Sequence, residues 1–301
     1  MNSIGANIVK LLLRAYTYPY RKKHLSLSRS VPDKDRPFRI PKDITHSVCL
    51  LDGVRAEVFS VQAAKTEILY LHGGGSTRPV DRRYRAVAVR LARALSARVT
   101  LIDHMTGREL VFPSVHDECF SACRAYFSEH GKNAFAAGDS MGANFLLSAC
   151  VRLRDERIAL PCAIGLISPF ADLSASGDSY RENCHADPMY SLPRGESFEE
   201  HEKDIRRIPF YCGNTDPKDA RLSPAFADFE GFPPVLIQCG ETETSRSDSE
   251  MLRDAMKSKG VPVTLEICKG MFHDFSILFP VLKESRKAWQ NLYDFFRRQI
   301  P

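Results

Sequence analysis

The pentapeptide Gly138-Asp139-Ser140-Met141-Gly142 lies between an apolar run, Ala134–Ala137, and a helical pattern continuing to about Leu153. It restricts the fold more than any other feature of the chain. A serine flanked by glycines two residues before and two after marks a strand that ends and a helix that begins within five residues. The same alternation extends in both directions. Ser47–Leu51 and Val54–Ser60 read as strands joined by Asp52-Gly53, a strong hairpin signal. Ile68–Leu71, Val99–Ile102, Ala163–Ile167, Val235–Gln238 and Val263–Ile267 are short apolar runs of the buried-strand type. Between them lie amphipathic patterns over 81–96, 115–129, 246–258 and 281–299. Strands alternating with helices give an α/β class, a mostly parallel sheet with helices on both faces.

Two segments stand outside this rhythm. Ile4, Ile8, Leu11, Leu12 and Ala15 recur at helical spacing over 4–16, and Tyr18-Pro19 is expected to end that helix. Residues 30–43 read as a Pro- and charge-rich connection. Residues 170–220 hold Pro188, Pro193, Pro209 and Pro217 and a charged helix near Glu196–Arg207. They read as an insertion between a strand and the next helix-bearing unit, where a lid is usually placed. The expected organisation is an N-terminal segment 1–44, a body 45–169 and 221–301, and an insertion 170–220.

Composition removes several classes. Hydrophobic residues make up 44% and charged residues 26% of the 301, an ordinary globular balance. No run reaches the roughly 18–20 apolar residues of a spanning helix, so no stable membrane insertion is expected. The excess of 42 basic over 37 acidic residues is too small to argue for nucleic-acid binding. The nine cysteines form no CxxC pair, and no Cys/His cluster has zinc spacing, so no metal is expected. Free buried thiols and the lack of a small-residue cleavage site point to a cytoplasmic protein.

Chemistry is suggested at four places. Ser140 on its turn would be exposed as a nucleophile. His72-Gly73-Gly74-Gly75 follows a strand, and successive glycines let backbone N–H groups face an incoming oxygen. His273 follows the last strand, where the chain order Ser, acid, His puts the base. The acid that orients it should lie just past Val235–Gln238, where Glu241, Glu243 and Asp248 compete. Asp248 has, with Ser245, the spacing of a capping box for helix 246–258. Glu241 reads as solvent-facing, and Glu243 fits best. His72 reads as a residue that orients its own loop.

With these motifs the chain resembles the hormone-sensitive-lipase family of α/β-hydrolases. The resemblance rests on Leu69–Gly75, Gly138–Gly142, Ile167–Ser174 with Ser176–Tyr180, Leu222–Phe229, Phe232–Gln238 and Gly270–His273, and it spans roughly residues 45–300. It implies an α/β-hydrolase fold with a helical cap, made from the N-terminus and the mid-chain insertion. It implies a serine carboxylesterase acting on short- to medium-chain esters through an acyl-enzyme. Ser140 would be nucleophile, His273 base and Glu243 acid, with the backbone N–H groups of Gly73, Gly74 and Met141 as the oxyanion hole. No organic cofactor is implied, and the partner is a small-molecule ester. A homodimer is allowed.

The chain departs from the family in four places. Ser76-Thr77-Arg78-Pro79 replaces the usual aromatic and Gly-Ser after HGGG. Asp103–Glu109 replaces an Asp-Tyr-Arg-Leu-Ala-Pro-Glu stretch. Met141 replaces a small residue, and a Leu after the acid is missing. These positions bear on specificity rather than on the catalytic atoms. Arg78, Arg82, Arg83 and Arg85 raise the idea of an acidic ester, against the plainer reading of a solvated helix face. Three other readings stay open. One is acyl transfer to an alcohol or amine, or deacetylation of a metabolite, by the same triad. Another is a non-catalytic ligand-binding relative, which the filled triad positions argue against. The last is a lipase that uses helix 4–16 as an interfacial anchor, against the plainer role of packing on the body as part of the cap.

Overall fold

The computed structural model describes residues 3–21, 37–192, 195–200 and 211–300, with the backbone alone at 18–21. Eight strands form one sheet: β1 (Ile44–Leu51), β2 (Val54–Val61), β3 (Thr66–Leu71), β4 (Ala97–Ile102), β5 (Ala134–Asp139), β6 (Ala163–Ile167), β7 (Val235–Gly240) and β8 (Val263–Cys268). Their order is β1-β2-β4-β3-β5-β6-β7-β8. β1 pairs with β2, and β2 with β4, antiparallel; every other neighbouring pair is parallel. Asp52 and Gly53 both take positive φ, 48° and 84°, the backbone that a two-residue hairpin between twisted strands requires.

The two faces of the sheet are separately filled. Leu69 and Leu71 of β3 and Ala134 and Ala136 of β5 point to the face covered by α3 (Ser114–His130), α4 (Ser140–Asp155) and α6 (Arg246–Ser258). Ile68, Tyr70, Phe135 and Ala137 point to the other, under α2 (Arg82–Leu95) and α8 (Lys283–Arg297). This alternation follows from the two-residue period of a strand, and burial on both faces explains why the strands read as unbroken apolar runs. Two short helices, α5 (Ser179–Glu182) and α7 (Phe275–Leu278), lie in the connections.

Several local expectations are corrected. α1 spans Ile4–Arg21 and so runs past Pro19. Pro19 sits in the last turn of the helix, where few bonds remain for it to interrupt. No capping box forms at α6. Ser245 is the N-cap without a side-chain bond to the helix. Asp248 is buried and turned away, accepting from the N–H groups of Ala171 (2.8 Å) and Asp172 (3.0 Å) and from the Tyr180 hydroxyl (3.2 Å). Its work is to hold the loop after β6. The charged helix near Glu196–Arg207 is described only through residue 200, with 198–200 helical; 201–210 lie outside the described residues. So does the 30–43 connection up to residue 36.

α2 is fixed at both ends. Asp81 accepts from the N–H groups of Arg83 (2.7 Å) and Tyr84 (3.4 Å), and Ser96 closes the helix in the left-handed region. Its arginines do not form one solvated face. Arg83 pairs with Asp81, and Arg85 reaches across to Glu57 of β2 with two bonds of 2.9 Å. Burial pushes the Glu57 carboxyl up, but the Arg85 and Arg55 guanidinium groups outweigh it and hold it below the usual carboxylate range. A carboxylate with a depressed pKa stabilises the fold above its unfolded value and loses that contribution as pH falls. Arg85→Ala is therefore expected to lower the unfolding free energy by about 3 kcal/mol at neutral pH, at the low end for a broken buried pair because Arg55 and His46 still face Glu57. Urea titrations should show that loss shrinking as pH falls through the depressed Glu57 pKa, below which Glu57 is neutral in both proteins. A loss independent of pH would mean that packing, not charge, carries the effect.

Candidate active site

Ser140, Glu243 and His273 come from three separate connections, all at the carboxyl edge of the parallel strands, where open α/β sheets place their sites. Ser140 begins α4 directly after β5 and has φ 49°. A serine rarely takes this left-handed backbone, and it is held there by its neighbours. Gly142 passes so close to the end of β3 that a Cβ would lie 2.3 Å from the Leu71 carbonyl oxygen and 2.4 Å from that of His72. No side chain fits, so the second glycine of the pentapeptide is what allows α4 to start against β3.

The hydroxyl Oγ of Ser140 is 3.0 Å from His273 Nε2, and His273 Nδ1 is 3.2 Å from Glu243 Oε2. All three residues are buried. Glu241, the competing acid, turns the other way: its Oε2 accepts from the Gly270 N–H at 2.7 Å. Glu243 is braced on every side. Its Oε1 accepts from the Ser168 hydroxyl at 2.7 Å and from the Gly240 N–H. Asn183 Nδ2 donates to the backbone carbonyls of Glu241 (3.0 Å) and Glu243 (2.7 Å).

The HGGG turn abuts Ser140. A Cβ on Gly73 would lie 2.3 Å from Asp139 Oδ2 and 2.9 Å from the Ser140 Cβ, so this backbone approaches the serine as only glycine can. Gly74 has φ 104°, and its carbonyl accepts from the Thr77 N–H at 3.2 Å. Met141 is the second residue of α4, at the helix end where N–H groups lack intrahelical acceptors. His72 is fully buried, donates from Nδ1 to the Gly73 carbonyl (2.7 Å) and stacks on His104 with ring centroids 4.0 Å apart. Burial and the neighbouring His104 push its pKa well down, so its ring stays neutral.

Sequence reasoning missed several residues at this site. Asp274 follows His273 in the left-handed region (φ 54°), and its Oδ2 is 3.3 Å from His273 Nε2. Tyr190 packs edge-on against the His273 ring at 5.0 Å. Asp139 is buried, with Oδ1 accepting from the Tyr70 hydroxyl at 2.7 Å; burial and the Asp274 charge push its pKa well up. Burial alone would lower the His273 pKa. The Asp274 carboxylate, Tyr190 and the Glu243 carboxylate outweigh it and hold the imidazole well above 6.5. Asp274 is adjacent to the histidine, so position alone gave a signal for it. Ser168 lies in the Ile167–Ser174 stretch, which assigns it no role, and nothing local marks Tyr190 or Asn183. A hydroxyl, a base on it and an acid on the base are the parts of nucleophilic acyl transfer.

The chain matches the α/β-hydrolase fold family over residues 68–277. It is 33% identical over 224 residues to an acetyl-hydrolase of Streptomyces hygroscopicus, covering 73% of this chain and 72% of that protein. It is 28% identical over 248 residues to an esterase of Acinetobacter venetianus, 81% of this chain and 79% of that one. Among solved structures, an esterase of the bacterial hormone-sensitive lipase family superposes with TM-score 0.81 at 28% identity, covering 100% of both chains. EstE5, soaked with p-nitrophenyl butyrate, superposes with TM-score 0.81 at 28% identity over 99% of each.

Ser168 joins the acid and base loops through one hydroxyl, donating to Glu243 and accepting from the Asp274 N–H at 3.0 Å. Ser168→Ala is expected to leave the fold intact and lower kcat on an activated ester roughly tenfold, with KM little changed, as removal of an outer-shell partner does elsewhere. An unchanged kcat would show that the remaining bonds to Glu243 suffice.

Proposed function

The chain belongs to the α/β-hydrolase fold family and is a carboxylic ester hydrolase; from that premise we propose that it works through Ser140, His273 and Glu243 on small esters. The reading is carried by the 3.0 Å and 3.2 Å contacts that join Ser140, His273 and Glu243 in one line.

His273 Nε2 takes the Ser140 proton as Oγ attacks the ester carbonyl carbon. The carbonyl π pair moves onto oxygen, and the oxyanion is held by the N–H groups of Gly73, Gly74 and Met141. Glu243 stays ionised, fixes the Nδ1–H tautomer and stabilises the imidazolium. The tetrahedral centre collapses, the C–O bond to the alcohol breaks, and Nε2 returns its proton to the leaving oxygen. Water then attacks the acyl-enzyme by the same route and releases the acid. His72 holds the glycine turn in register. α1 and the segment between β6 and β7 act as the cap. Acyl chains of short to medium length are the proposed substrates, in keeping with relatives named acetyl-hydrolase and acetyl esterase.

The Arg cluster gives little support to an acidic substrate. Arg83 and Arg85 are engaged with Asp81 and Glu57 on the body, and Arg78 lies against Gly74, four residues before it.

Ser140→Ala should lose at least about 10⁴-fold in kcat on p-nitrophenyl acetate and butyrate. In the wild type, turnover should decline from butyrate through octanoate to palmitate. Equal slow turnover by both proteins would remove the triad reading. The pH profile tests the histidine separately. A base must be neutral to accept a proton, and His273 is held above 6.5 by the carboxylates beside it. Wild-type kcat/KM should therefore fall as pH drops through a midpoint above 6.5, and Asp274→Asn should move that midpoint down. A midpoint unmoved by Asp274→Asn would show that the Asp274 charge does not reach the ring.

A further inference from the structure

We propose that this protein docks on anionic lipid surfaces through the solvent-facing side of α1, with its apolar stripe entering the headgroup layer. α1 has two apolar sides. Ala6, Val9 and Leu13 pack on the cluster of Met271, Phe272 and Leu282, and this side accounts for any role the helix has in covering the body. The opposite side presents Ile4, Ile8, Leu11, Leu12 and Tyr16, at helical spacing and 50–81% exposed. A helix that served only the body would carry polar residues there. Exposed apolar side chains are ordinary when scattered, but a contiguous row of five is the mark of a contact surface.

Charge identifies the partner. Six Lys and Arg precede the first acidic residue, Asp33, so the rest of the chain holds 36 basic against 37 acidic residues. The whole positive excess lies in the segment that carries the apolar row. Within α1, Arg14 lies beside that row while Lys10 turns to the body, and the helix has no Asp or Glu. An apolar stripe with basic flanks suits the boundary between acyl chains and anionic headgroups, where burial and electrostatic attraction add. A second copy of the chain fits less well, because two such helices face to face would bring two basic segments together. Spanning is not involved: no helix among the described residues is long and apolar enough to cross a membrane.

The helix is also bonded to the segments on either side of His273. Lys10 Nζ donates to the Gly270 carbonyl (3.0 Å), Arg14 to that of Ala186 (3.0 Å) and Thr17 to that of Pro188 (2.8 Å). Tyr190, two residues beyond Pro188, packs on the His273 ring. A docked α1 would thus hold the candidate site next to the surface from which amphiphilic esters partition.

Flotation of the full chain with vesicles tests this without reference to hydrolysis, so it stands or falls apart from the esterase reading. The wild type should float with phosphatidylcholine vesicles containing about 30% phosphatidylglycerol and much less with phosphatidylcholine alone. Binding should weaken in about 0.5 M salt. The double substitution Ile8→Glu with Leu11→Glu should lower the bound fraction at least about tenfold. It should keep the wild-type melting temperature and its activity on soluble p-nitrophenyl acetate, which shows that the fold survives. Wild type that stays in the buffer, or a variant that floats equally well, overturns the proposal. So does light scattering that finds a wild-type dimer converted to monomer by the same substitutions, since a second copy would then own the face.

Discussion

The left-handed backbone of Ser140 is the constraint from which the site is built. β5 must end and α4 begin without an intervening loop, and the joint is possible because Gly142 lets the helix rest on the Leu71 and His72 carbonyls. The strain at one residue is offset by the packing of α4, whose side chains from Ser140 through Cys150 are all buried. The same contact puts the serine beside the HGGG turn, because His72 is both the residue that α4 rests on and the start of that turn. The proposed nucleophile and oxyanion donors are thus located by one close approach of backbone.

The acid and base are located differently, through a buried polar lattice. Ser168 ties Glu243 to the backbone of Asp274, Asn183 ties the Glu243 loop to the segment after β6, and Asp248 ties that segment to α6. Each link satisfies polar groups that burial would otherwise leave at a cost of about 1–3 kcal/mol each. The lattice joins residues 168–190, 240–248 and 270–274, so the histidine is positioned by chain distant in sequence.

That difference explains what the sequence made legible. The strand segments of the body, Ser140, the glycine turn and His273 could be read because each is set by local chemistry: a period, a turn, a place after a strand. Glu243 could be preferred over Glu241 but not decided, since three carboxylates lie within eight residues and which one faces the ring depends on Gly270 taking up Glu241. Asp248 was misread for the same reason. Its spacing from Ser245 suits a cap, but the N–H groups of Ala171 and Asp172 are stronger competitors for it, and they are 77 and 76 residues away. The arginines of α2 look like one solvated face until Glu57 appears beneath them. Long-range pairing of polar groups leaves no periodic trace.

Asp274 sets two halves of the acyl-transfer cycle against each other. With His273 neutral, the Nε2 lone pair faces both the Ser140 hydroxyl at 3.0 Å and the Asp274 carboxylate at 3.3 Å, and only the hydroxyl offers a proton. Once Nε2 is protonated, the carboxylate becomes an acceptor and holds the imidazolium. That assists the step in which serine loses its proton. It opposes the step in which the leaving alcohol gains one, because the proton must then be drawn from two carboxylates rather than one. The cost of a second negative charge there falls on the buried Asp139, whose own pKa burial and the Asp274 charge push well up.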